Sequence, residues 1–100
     1  MELKDILKSA REKKTLLMRE LASLIGVDTA MISKFEKGDR NPTRNQIGRL
    51  SEMLDIDEKI LLKIWLRDKL LNELENEDSA LEALRMAEKK IRELNKERQV

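Results

Sequence analysis

Residues 18–42 read MRELASLIGVDTAMISKFEKGDRNP, and the fold is decided in this stretch. The spacing predicts a short helix over about residues 18–24, with Leu21, Leu24 and Ile25 turned inward. Gly26 stands where that helix must stop, in the left-handed conformation that glycine reaches at little cost. Asp28 is a suitable N-cap for a second helix over residues 29–37, and Gly38 ends it as Gly26 ends the first. A turn built from Gly38, Asn41 and Pro42 follows. The second helix turns Thr29, Ser33 and Lys34 to one side, a hydroxylated and cationic face.

Outward from this core the pattern stays helical. Leu3, Ile6, Leu7 and Ala10 predict a first helix over residues 2–13, joined by Thr15, Leu16 and Leu17 to the second. Thr43 with Gln46 three residues later is a capping box, opening a fourth helix with Ile47, Leu50 and Leu54 inward. Asp57 caps a fifth, reaching about Leu74. Its apolar residues Ile60, Leu61, Leu62, Ile64, Trp65, Leu66, Leu70, Leu71 and Leu74 cover more than one stripe, whereas a surface helix needs only one. The surplus calls for a cover, either the C-terminal helix or a second subunit. After the polar break Glu75–Asp78, Ser79 and Glu82 open a sixth helix to about Glu97. There Ala80, Leu84, Ala87, Ile91 and Leu94 form a short coiled-coil seam. The expected division is a domain over residues 1–74 and an extension over 75–100.

Composition narrows the function. The chain has 100 residues, 40% of them apolar but only 2% aromatic, which suits one small domain of packed helices. Without cysteine there are no disulfides or thiolate zinc sites, and without histidine the usual proton shuttle is missing. No nucleophile–base pair, phosphate loop or metal cluster is visible, so the expectation is no enzyme, no cofactor and no metal. The acidic group Glu73, Glu75, Glu77 and Asp78 lacks the spacing and glycine of a calcium loop. Met18, Met31, Met53 and Met86 read as packing residues. No apolar run is long enough for a membrane span and no signal peptide opens the chain, which points to a cytoplasmic protein with no membrane partner. The net charge of +1 conceals an asymmetry. Residues 29–49 carry five basic side chains against two acidic ones, and residues 71–100 carry six against eight.

A glycine turn between two short helices, the second with an exposed polar face, is the pattern of a helix-turn-helix, which places its second helix in the major groove of DNA. The residues resemble one family of such proteins, the Cro/repressor-type or XRE family, over about positions 3–64. The resemblance rests on Leu21-Ala22, Gly26-Val27, Ile32-Ser33, and above all on Glu36-Lys37-Gly38 followed by Arg40-Asn41-Pro42. It implies an all-α fold, a five-helix lambda-repressor-like DNA-binding domain here carrying a C-terminal helical extension. It further implies base contacts from Thr29, Ala30, Ser33 and Lys34, with Met31 on the flank. Phosphate contacts fall to Arg19, Lys37, Arg40, Asn41 and Arg44. Arg11 and Glu36 occupy the positions of a structural ion pair. The chain departs from the family at Leu17 and Met18, where Ser and Gln are usual and the Gln touches phosphate; Arg19 is the neighbouring substitute. Asp28 faces the same side, and capping is the simplest reason for its carboxylate.

The expected function is sequence-specific binding of double-stranded DNA by a transcriptional regulator, as a homodimer on an inverted repeat, in the nucleoid. The expected dimer interface takes Leu62, Trp65, Leu66, Leu70, Leu84, Ile91 and Leu94. Two alternatives stay open from sequence: an antitoxin, whose acidic tail would hold a toxin or other protein partner, and a helical adaptor that binds no DNA.

Overall fold

A computed structural model describes residues 1–99. It contains six α-helices: α1 (Leu3–Lys13), α2 (Met18–Ile25), α3 (Thr29–Lys37), α4 (Arg44–Leu54), α5 (Glu58–Leu74) and α6 (Ala80–Gln99). The chain divides inside α5 into a compact unit Met1–Lys69 and a second unit beginning at Leu70.

The first unit is built around one apolar cluster. α1 contributes Leu3 and Leu7, α2 Leu21, Ala22 and Ile25, and α3 Ile32 and Phe35. α4 adds Ile47, Leu50 and Leu54, and α5 adds Leu61 and Trp65. Each large side chain fully removed from water contributes about 1.5–3 kcal/mol before the entropy of ordering is subtracted. Ala22, 2% exposed, is buried within this cluster on the inward side of α2.

The short helices are delimited by local chemistry. Gly26 (φ +75°) and Gly38 (φ +79°) terminate α2 and α3 in the left-handed region. A methyl group at Gly26 would lie 3.7 Å from Arg49 Nη1, an ordinary contact, so the cost of alanine there is conformational alone. Gly26→Ala is expected to lower stability by about 1 kcal/mol, read from urea unfolding. Thr43 Oγ1 accepts from the Gln46 N–H at 3.2 Å while Gln46 Oε1 accepts from the Thr43 N–H at 2.9 Å, and Asp57 Oδ1 accepts from the Lys59 N–H at 2.9 Å. Asp68 Oδ2, from α5, accepts from the Leu3 N–H at 2.8 Å and so caps the start of α1 from a distance.

Two expectations are corrected. Leu24 is 52% exposed: Leu21, Ala22 and Ile25 define the inward stripe of α2, and Leu24 lies about 100° round the helix from its centre. Trp65, expected at a dimer interface, is only 6% exposed, because it shares the inward stripe of α5 with Leu61. Leu62 is half-buried against the same core, and Leu66 is exposed.

In the second unit, Leu70, Leu71, Leu81, Met86, Ile91 and Leu94 are exposed and Leu84 is half-buried. No described residue from Leu70 onward is buried. No helix among the described residues is long and apolar enough to cross a membrane.

Candidate nucleic-acid interface

The position of α3 follows from what it buries. Ile32, Phe35 and Glu36 face inward, which leaves Thr29, Ala30, Lys34 and Lys37 exposed and Ser33 half-buried. The four residues expected to read bases therefore share the outer side of one helix. Asp28 Oδ1 accepts from the Met31 N–H at 2.8 Å, so its carboxylate is engaged in capping. At the other end the Asp39 N–H donates to Lys34 O at 2.9 Å, closing the helix around Gly38.

Behind α3 lies the one buried ion pair among the described residues. Arg11 Nε donates to Glu36 Oε2 at 2.7 Å and Nη2 donates to Oε1 at 3.0 Å, a fork-on-fork arrangement. Arg11 Nη1 also donates to Leu16 O at 2.8 Å, tying the α1–α2 connection to the same guanidinium. The hydrogen bonds to Glu36 hold the Arg11 pKa above its ordinary value, against the opposing effect of burial. The pair pins α3 to α1 on the side away from its exposed face.

The flanking cations are placed by α2, the α3–α4 loop and the start of α4. Arg19, Lys37, Arg40, Asn41 and Arg44 are all exposed. Among the described residues, none of Arg19, Lys34, Lys37, Arg40 and Arg44 forms an ion pair with a carboxylate. At the start of α2, Glu20 Oε1 accepts from the Leu17 N–H at 2.8 Å, so a carboxylate already occupies part of that helix terminus. Arg19, beside that terminus, is exposed. Among the described residues, no cluster of three or more Asp or Glu is arranged to hold a metal.

One contact was not anticipated from sequence. The buried indole of Trp65 donates from Nε1 to Pro42 O at 2.8 Å, linking α5 to the basic loop. Lys69 Nζ lies 4.3 Å and the Arg44 guanidinium carbon 5.4 Å from the centre of the same ring. The available signal was the chain's single Trp, whose N–H needs an acceptor when the ring is buried.

A short helix braced from behind, its polar face outward and flanked by unpaired cations, defines a helix-turn-helix domain. Residues 7–61 match the family model for the helix-turn-helix. The chain belongs to the XRE-type helix-turn-helix family, whose members are DNA-binding transcriptional regulators.

Solved structures share the fold. An Escherichia coli protein described as hypothetical superposes with a TM-score of 0.66 at 27% identity, over 84% of this chain and 86% of that one. The P22 c2 repressor in complex with a synthetic operator gives 0.58 at 21% identity, over 61% of this chain and 92% of that one. The SinR/SinI protein complex gives 0.56 at 26% identity, over 97% and 94%. Comparison with curated proteins gives no significant sequence match.

Proposed function

We propose that the protein is a sequence-specific regulator that grips an inverted-repeat operator as a homodimer. Thr29, Ala30, Ser33 and Lys34 read base edges, and Arg19, Lys37, Arg40, Asn41 and Arg44 hold phosphates. The observation that carries this reading is the outward face of α3, exposed at Thr29, Ala30 and Lys34 and flanked by cations without carboxylate partners. Lys34 suits guanine O6 and N7, Thr29 offers a hydroxyl or a methyl, and Ala30 suits a thymine methyl. None of the four is an Asn, Gln or Arg that could contact a base with two hydrogen bonds, so DNA shape contributes to selectivity. In the P22 c2 repressor complex the same fold sits on a synthetic operator.

Selecting duplexes from a random pool supplies the test. Lys34→Ala is expected to weaken the selected site about tenfold or more while leaving random DNA little changed, and Arg40→Ala to weaken both alike. Failure to enrich any sequence would refute the reading.

The dimer is supported by the second unit, where Leu70, Ile91 and Leu94 are exposed and nothing described is buried. Two copies set their recognition helices about 34 Å apart on one face of the duplex. Sedimentation at micromolar concentration is expected to give twice the chain mass, and the double substitution Ile91→Glu with Leu94→Glu to give the single mass. A wild-type monomer would exclude this interface. A different protein covering the stripe would also give that result, and the SinR/SinI complex is a two-protein assembly of related fold.

A further inference from the structure

We propose that Trp65 positions the phosphate-binding segment Arg40–Arg44, so that an α5 residue outside the helix-turn-helix sets how well the domain grips the DNA backbone. This rests on the DNA-binding reading above. The segment has few restraints of its own. On one side the Asp39 N–H is bound to Lys34 O, and on the other the Thr43 N–H is bound to Gln46 Oε1. Between them, the hydrogen bond from Trp65 Nε1 to Pro42 O is the one hydrogen bond to the core among the described residues, beside the packing of the Pro42 ring.

Pro42 is itself buried, while its neighbours Arg40, Asn41, Thr43 and Arg44 are exposed. The indole thus anchors the middle of a basic segment by its edge. Its ring also carries the Arg44 guanidinium carbon 5.4 Å and Lys69 Nζ 4.3 Å from its centre. A phenylalanine would fill most of the same space and would still attract a cation through its ring face. What would be lost is the N–H that holds Pro42, together with the few ring atoms by which an indole exceeds a phenyl, whose packing cost the urea unfolding reads separately. Loosening the segment leaves every charge on the chain but frees Arg40 or Arg44 to lie away from the backbone, so about one fewer phosphate is neutralised per subunit.

Trp65→Phe tests this. Affinity for a selected duplex and for a scrambled duplex is measured at several salt concentrations, alongside urea unfolding. The expected result is a folded variant that binds both duplexes about three- to tenfold more weakly. The slope of log affinity against log salt should flatten by about one per subunit, with the ratio between the two duplexes unchanged. A purely structural role would lower stability without moving that slope. A folded variant with wild-type affinity and slope overturns the proposal, while Lys34→Ala discrimination in the same series shows whether the DNA-binding reading itself survives.

Should the variant fail to fold, the wild-type protein gives a second measurement, because Trp65 is the only Trp and there is no Tyr. Its emission is expected to change on adding duplex, as Arg44 turns from the ring to phosphate, and Arg44→Ala is expected to diminish that change. Emission unaffected by a duplex that binds would overturn the proposal. Absence of binding by the wild-type protein would overturn this proposal together with the reading beneath it.

Discussion

Glu36→Ala will remove a large share of the domain's stability, about 3–5 kcal/mol. Small domains hold only about 5–15 kcal/mol in total, so part of the variant population will be unfolded without denaturant. The reason is what remains. Side-chain exposure at the pair is 11% for Arg11 and 3% for Glu36, and removing the carboxylate leaves a guanidinium shut away with two of its donors unanswered. The intact pair contributes far less than this loss, because both charges were taken out of water to form it. The double substitution Arg11→Met with Glu36→Leu is accordingly expected to recover most of the stability. Urea midpoints of the wild type, the two single variants and the double variant close the cycle. A Glu36→Ala variant within 1 kcal/mol (roughly) of wild type would mean that water reaches Arg11 freely. Since Arg11 is held above its ordinary pKa, its contribution is complete below the usual guanidinium range and fades only at higher pH. The stability of the pair will therefore not decline in mildly alkaline buffer through Arg11.

The second large effect is on salt dependence. If Arg19, Lys37, Arg40 and Arg44 each neutralise one phosphate, affinity per half-site falls about 150-fold between 50 mM and 200 mM salt, and on the order of 10⁴-fold for two half-sites. Anisotropy of a labelled duplex measures this directly. Arg40→Ala should reduce the slope by about one per subunit, whereas Lys34→Ala should act mainly on the selected sequence. A helical adaptor would bind duplex at no salt concentration. A slope shallower than one would show that the exposed cations do not meet the backbone.

The recognition helix was legible in sequence because local rules bracket it. Asp28 at its start and Gly38 at its end are residues with specific terminal chemistry, and α3 runs Thr29–Lys37 as expected. The Arg11–Glu36 partnership was legible only through family resemblance, since the two lie 25 positions apart and no periodicity connects them. Leu24 was misread because an eight-residue helix offers too few turns to fix which leucines define its stripe. Trp65 reads from sequence as a core or interface anchor and falls in the expected dimer interface for a related reason. α5 is apolar on several sides, so pattern alone cannot say which side meets the core. Its bond to Pro42 spans 23 positions and depends on tertiary placement. The cations of the interface were visible as charges, but their lack of carboxylate partners is a property of the folded chain.

The bare surface of the second unit bears on how the regulator would respond to its own abundance. With another copy as its cover, burial of the apolar side chains of α6 and pairing of subunits are one equilibrium, governed by mass action. Occupancy of a two-half-site operator then climbs more steeply than the first power of protein concentration, and dilution releases the site sooner than a preassembled pair would. The gain of the circuit would be set at the far end of the polypeptide from the helix proposed to read the bases.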